Sequence, residues 1–218
     1  MDDGDNIMIV EDFSDLKFEN KEIIRLLGKK KNQKSLDTQY IEMIEEMKVE
    51  AEGLINPHAI YNIFDQKDLE KRDCFEEAEK IGLAVCTIGE KLPNKVNKLI
   101  NEGDLVKAVI LDAIGSVAVE KVADNINEII NQEAKQLNYE FSKRYSPGYC
   151  SWETKDQKLI FDHLPGEEIN VHLTDSFMMN PIKSVSFAVN FGYNIRESRW
   201  ENRCRECDMN TKCNYQIH

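Results

Sequence analysis

The segment DLVKAVILDAIGSVAVEKVADNINEIINQEAKQL, which begins at Asp104, constrains this chain more than any other. Its apolar residues recur at helical spacing and cover nearly the whole circumference, which predicts one long helix lying at the centre of the protein. Asp104 follows Gly103 and is placed to cap the start. A chain of 218 residues holds one sizeable core, so the rest of the sequence is expected to wrap around this rod. Its few polar residues then need partners. Asp112, Ser116 and Glu120 are spaced four apart and drift about 40° per step around the axis, with Asp124 continuing the drift, so they form one polar seam. Such carboxylates either meet neighbouring backbone groups and lysines or build a ligand site.

Around that rod, Leu36, Tyr40, Met43, Ile44, Met47, Ala51 and Leu54 mark one face of a second helix, with Ser35 as its cap. PHAIYNIF and GLAVCTIG read as strands, separated by an acidic helical stretch from about Asp73 to Ile81. Pro93 suits the first turn of a helix from Leu92 to Asn101. After the long helix come an extended piece to Arg144, the loop SPGYCSW, and a short helix from Lys155 to Leu164. VHLTDS and SVSFAVNFGYNI follow as strands, with MMNPIK between them. Helices dominate the first two thirds and strands the last third, so the expected class is α+β.

The formal charge of −12 repels a polyphosphate backbone, which argues against nucleic acid as a partner. Residues 1–90 carry 22 acidic and 12 basic side chains, so most of that charge sits in the N-terminal part. The lysines at 29–31 and 34 read as a solvated loop. The start has neither a basic nor an apolar leader region, and no stretch of about 18 residues is free of charge and amide. The expectation is a cytoplasmic protein with no membrane partner.

RYSPGY, Arg144 to Tyr149, combines a cationic fork with a Pro-Gly turn and two tyrosines. Such a turn exposes backbone groups that can hydrogen-bond a purine edge, a tyrosine offers a stacking face, and arginine grips a carboxylate. Together with LDAIGSVAVEKVAD upstream and LTDSFMMNPIKSVSF downstream, it resembles the activation domain of cobalamin-dependent methionine synthase, most closely its small stand-alone relatives. The resemblance covers about residues 80–193. It implies a twisted antiparallel sheet flanked by helices, one of them long and central. It also implies binding of S-adenosylmethionine and its presentation to cobalamin on a partner, a corrinoid protein or cobalamin-dependent methyltransferase. There an electron-donor protein and methylation restore cobalt that has been oxidised to Co(II). The protein is then one component of that methyltransferase activity and not a complete enzyme alone.

The family's ligand arginine falls on Arg144, and the rest of its turn on Tyr145, Ser146, Pro147, Gly148 and Tyr149. An acidic residue of its central helix falls on Glu120 or Asp124, with Asp112 in the same seam. Tyr193 corresponds to a tyrosine near the corrinoid-facing edge. Met178, Met179, Ser184 and Ser186 belong to the downstream motif. Phe187 stands where the family usually has glycine, and Cys150 where it often has proline. The alternative that Phe187 motivates is a corrinoid-protein-binding or metal module that has lost S-adenosylmethionine.

The tail from about 196 to 218 lies beyond the single activation-domain-like unit assigned to 1–195. Cys204 and Cys207 form a C-x2-C knuckle and Cys213 follows closely, so three thiolates could bind one metal, with Cys150 or His218 as fourth ligand. Zinc would staple the tail, and an iron-sulfur cluster would relay electrons. Cys74 and Cys86 lie in apolar surroundings and read as core. His58, His163 and His172 have no partner at ligand or triad spacing. No GxSxG, P-loop, HExxH or Rossmann glycine turn is present.

Overall fold

The computed structural model describes residues 7–13, 16–28, 38–75, 77–149 and 152–195. Ser35, Leu36, the lysines at 29–31 and 34, Cys150 and the tail with Cys204, Cys207, Cys213 and His218 lie outside them. In chain order the elements are β1 (Met8–Val10), α1 (Asn20–Leu26), α2 (Thr38–Glu52), β2 (His58–Asp65), β3 (Lys80–Thr87), α3 (Lys91–Glu102) and α4 (Leu105–Gln136). They continue as β4 (Glu140–Phe141), α5 (Gln157–His163), β5 (His172–Leu173), β6 (Met179–Asn180) and β7 (Ser184–Gly192).

Five strands form one antiparallel sheet in the order β1-β2-β3-β7-β4. Side chains alternate across it, so each face builds its own core. Ala59, Tyr61, Ala84, Cys86, Phe187, Val189 and Phe191 point to the side covered by α1 to α4. Ile60, Ile81, Leu83, Val85 and Ala188 point to the other side, where α5 and the loops supply Phe75, Tyr145, Trp152, Leu159 and Ile160. The protein is therefore α+β, with a long helix lying across an antiparallel sheet.

α4 runs 32 residues, about 48 Å at the helical rise. Asp104 accepts a hydrogen bond from the Lys107 amide, as its capping position predicts. Gly103, with φ of 84°, ends α3 in the left-handed conformation and lets the chain double back immediately. α3 and α4 pack closely away from that turn as well, since a β-carbon at Gly115 would stand 2.6 Å from Leu92 Cδ2.

Four expectations need correction. The stretch from Asp73 to Ile81 is not an α-helix. Asp73–Phe75 makes a short 3-10 turn that sinks Cys74 and Phe75 into the second core, and Ile81 already belongs to β3. MMNPIK is not simply a connection, because Met179–Asn180 pairs with β5 as a small hairpin. The division into helices first and strands last fails too, since β1, β2 and β3 all precede Ile88. Finally, α4 is not enclosed all round. Sheet and neighbouring helices cover one side, leaving Leu105, Val106 and Val109 exposed and the polar seam on the open side.

Candidate functional site

The polar seam of α4 meets two cations. Arg144 Nη2 donates to Glu120 Oε2 at 2.6 Å and to Asp124 Oδ1 at 2.9 Å. Two turns earlier, Lys183 Nζ lies 2.8 Å from Asp112 Oδ1 and donates to Ser116 Oγ at 2.8 Å. Eight residues of helix separate Asp112 from Glu120, about 12 Å, so the seam holds two clusters rather than one.

Strand alternation explains how Arg144 arrives there. Tyr145 makes an isolated antiparallel bridge with Ala188, its amide and carbonyl both bonded to that residue. This fixes the segment beside β7 with successive side chains on opposite faces. Tyr145 drops into the second core at 2% exposure, where its hydroxyl donates to Asn190 Oδ1 at 2.5 Å. Arg144 rises on the α4 side, and its guanidinium lies 5.6 Å from the centre of the Phe187 ring, a cation–π seat. Glu120 and Asp124 remain about half exposed while Arg144 is mostly covered. The result is an anionic cluster with one shared cation, open to solvent on its carboxylate side.

The turn that follows is closed by its own backbone. Gly148 N–H donates to the Trp152 carbonyl at 2.8 Å and Tyr149 N–H to the Ser146 carbonyl at 3.3 Å. Gly148 adopts φ of 91°, a conformation that suits glycine there. Pro147 is buried, and Tyr149 projects at 66% exposure. Of the two tyrosines in RYSPGY, then, Tyr149 presents a free ring face and Tyr145 is committed to packing.

Tyr193 is not brought to this cluster. Five residues of β7 separate Phe187 from Gly192, roughly 16 Å of strand, and Tyr193 follows, stacked edge-on against Tyr139 at 4.8 Å. The serines of the downstream motif face inward. Ser184 Oγ donates to the Pro181 carbonyl at 2.7 Å and Ser186 Oγ to Gln157 Oε1 at 2.6 Å. Met178 is exposed and Met179 half-buried. Sequence reasoning did not single out Lys183, although it lies inside the quoted motif. A lone lysine beside a proline carries no signal until the fold sets it against Asp112.

A separate cavity of about 550 Å³ opens at the other end of the sheet, lined by Asn56, His58, Thr87, Glu90, His172 and Asn180 among others. None of the residues predicted for the site lines it. Among the described residues, no group of three or more His, Cys, Asp and Glu side chains could hold a metal ion. No helix among them is long and apolar enough to cross a membrane.

Comparison with known proteins places this geometry in context. The model of the family described as "Vitamin B12 dependent methionine synthase, activation domain" matches residues 4–196. The crystal structure of the MetH reactivation domain bound to AdoHcy superposes with a TM-score of 0.61 at 16% identity, covering 87% of this chain and 79% of that one. At such identity the likeness establishes the fold. No curated protein matches.

Proposed function

The chain belongs to the vitamin B12 dependent methionine synthase activation domain family, and from that premise we propose that it binds S-adenosylmethionine and serves reductive reactivation of a cobalamin-dependent methyltransferase such as methionine synthase. The observation that carries this reading is Arg144 held between Glu120 and Asp124 at the entrance to the SPGY turn. That donor set fits the ligand. A guanidinium suits its carboxylate, two carboxylates suit its ammonium, and the turn with Tyr149 offers a flat face and backbone groups to its adenine. The similar reactivation domain was crystallised with AdoHcy, which shares the amino-acid head and the adenosine.

When bound, S-adenosylmethionine supplies a methyl group to cobalamin on the partner protein. This chain's own residues orient the donor: Arg144 fixes the head, and the buried Tyr145–Asn190 bond anchors the turn to the sheet. The acidic first ninety residues serve as a solubility surface or as a docking face for a protein partner, and an electron-donor protein completes the system. The unit spans 1–195. By its spacing the tail offers Cys204, Cys207 and Cys213, with Cys150 or His218 as fourth ligand, to zinc or an iron-sulfur cluster, and the thiols stay reduced in the cytoplasm. Metal analysis of anaerobically purified protein, with its visible spectrum, tests that part.

Calorimetric titration with S-adenosylmethionine tests the main reading. Saturable binding at one site supports it, whereas a folded protein that gives no binding overturns it. Phe187, wholly buried beneath Arg144, favours a second reading in which the protein docks on a corrinoid partner without the ligand. Co-purification of that partner, unaffected by S-adenosylmethionine, would select this one.

A further inference from the structure

α4 and β7 run side by side in the same direction, and successive contacts mark their register. Lys183, the residue before β7, sends its ammonium to Asp112 Oδ1 and Ser116 Oγ, both at 2.8 Å. Further on, the Phe187 ring seats the Arg144 guanidinium, which bonds Glu120 and Asp124. Beyond that, Phe191 and Ile130 meet over Gly82, each within 3.4 Å of the place its β-carbon would take. Lys183, Phe187 and Phe191 are spaced four apart, about 13 Å of strand per step. Their counterparts on α4 advance by about eight helical residues, or about 12 Å, so helix and strand keep pace.

The middle contact is the candidate site, and it is assembled from two bodies. Its carboxylates ride on α4, whereas its cation rides on the segment bridged to β7 at Ala188. A slide of α4 along β7 would part them. Ion pairs as exposed as those of Arg144 hold little by themselves. Lys183 is placed to hold more. Only 11% of its side chain is exposed, and its carbonyl accepts from the Ile88 N–H at 3.2 Å and the Thr87 hydroxyl at 3.4 Å. Its stem crosses α4 at Gly115, where a β-carbon would stand 3.4 Å from Lys183 Cε. One residue thus joins the end of β3, the start of β7 and α4.

We propose that Lys183 is a positioning residue: its bond to Asp112 sets the register of α4 along β7 and so holds Glu120 and Asp124 opposite Arg144, without touching the ligand itself. The proposal rests on the reading that this cluster takes S-adenosylmethionine, and it adds the contact that assembles the cluster. Binding constellations lose their fit through displacements well under the length of a side chain, so a pin two helical turns away matters to affinity.

The test compares wild type, Lys183→Met, Lys183→Arg and Asp112→Asn by calorimetry with S-adenosylmethionine and by 15N spectra of the ligand-free proteins. Methionine keeps the stem and removes the charge. Lys183→Met is expected to weaken binding about 3- to 10-fold and to shift the Arg144 Nε–H signal, identified by its absence in Arg144→Ala. Lys183→Arg, which keeps the bond to Asp112, restores both. Asp112→Asn should weaken binding similarly and add little on top of Lys183→Met, as expected for two halves of one contact. Ile60→Val, which loosens the core on the other face of the sheet, should leave affinity in place. Where wild type binds, a Lys183→Met protein that binds equally well overturns the proposal, as does a loss that Lys183→Arg fails to restore or that Ile60→Val reproduces. A folded wild type that binds no S-adenosylmethionine overturns the functional reading. The pin is then judged by the ligand-free spectra: an Arg144 signal that moves in Lys183→Met and returns in Lys183→Arg upholds it, and one that stays unmoved overturns it.

Discussion

Arg144 donates to Glu120 at 2.6 Å across 24 residues of chain, tying the start of the SPGY turn to the middle of α4. Because the carboxylates are half exposed, such a pair contributes only ~0–1 kcal/mol to folding, and its seat on Phe187 adds about 0.5–1 kcal/mol. Charged hydrogen bonds to a ligand are worth about 1.5–3 kcal/mol. Arg144→Ala is therefore expected to change the unfolding free energy by less than ~2 kcal/mol but to weaken S-adenosylmethionine binding about 10- to 100-fold. Arg144→Lys should fall between, since it keeps the charge and loses the planar fork. Denaturation and calorimetry on the same preparations separate the two effects. An alanine variant that melts normally and binds as wild type removes Arg144 from the site.

Gly82 in β3 faces α4, where a β-carbon would stand 2.8 Å from Ile130 Cγ2. In an open strand, alanine would stabilise by reducing chain entropy. Here Ile130 is fully buried and stiff at its branched carbon, so overpacking wins. Gly82→Ala is expected to cost about 1–3 kcal/mol, and Ile130→Ala about 2–5 kcal/mol through its cavity. The double variant should cost less than the sum, because the new methyl partly fills the space vacated. Additive costs in urea unfolding would show that the helix does not approach the strand so closely.

What the sequence made legible follows from local physics. α4 and its Asp104 cap, α2, α3, and the runs that became β2, β3 and β7 all carry period and punctuation that nearby residues enforce. The failures share a cause as well. β5, β6 and β4 are two residues each, too short for alternation to register, and exist because partners arrive from far along the chain. The 73–81 stretch has helical composition, yet Phe75 at 0% exposure and Ile81 pairing with Asn190 are tertiary demands that override propensity. At the site, helical spacing shows that Glu120 and Asp124 share a face. Arg144 reaches them only through the Tyr145–Ala188 bridge, which no local pattern announces.

Tyr145 and Asn190 form the next testable relationship. Asn190 is buried at 6% exposure, accepting from the Tyr145 hydroxyl and donating from Nδ2 to the Cys74 carbonyl at 2.6 Å. Tyr145→Phe keeps the ring and removes the donor, leaving the Asn190 oxygen without that partner. An unsatisfied buried acceptor costs about 1–3 kcal/mol. The expected outcome is a loss of that size in chemical denaturation, with a smaller loss of ligand affinity because the turn is less firmly tethered. No change in stability would mean that another group or water takes the place of the hydroxyl.

Cys74 and Cys86 predict a pH dependence. Burial is the main cause that pushes the Cys74 thiol up to about 12, and it drives the fully buried Cys86 thiol up as well. In the unfolded chain both ionise near ~8.5. Below that value both states hold the protons, and the thiols contribute no pH dependence. As pH rises above it, the unfolded chain releases protons that the folded chain retains, so stability falls progressively toward the folded values. Urea unfolding from pH 7 to 10 should therefore show a decline above ~8.5 that is shallower in a Cys74→Ala/Cys86→Ala variant. The same burial keeps thiolate scarce, so maleimide should modify these two cysteines only when the protein unfolds. Rapid labelling of Cys74 or Cys86 in native protein at pH 7, located by peptide mass, would show that the two cores on either side of β3 are open to solvent.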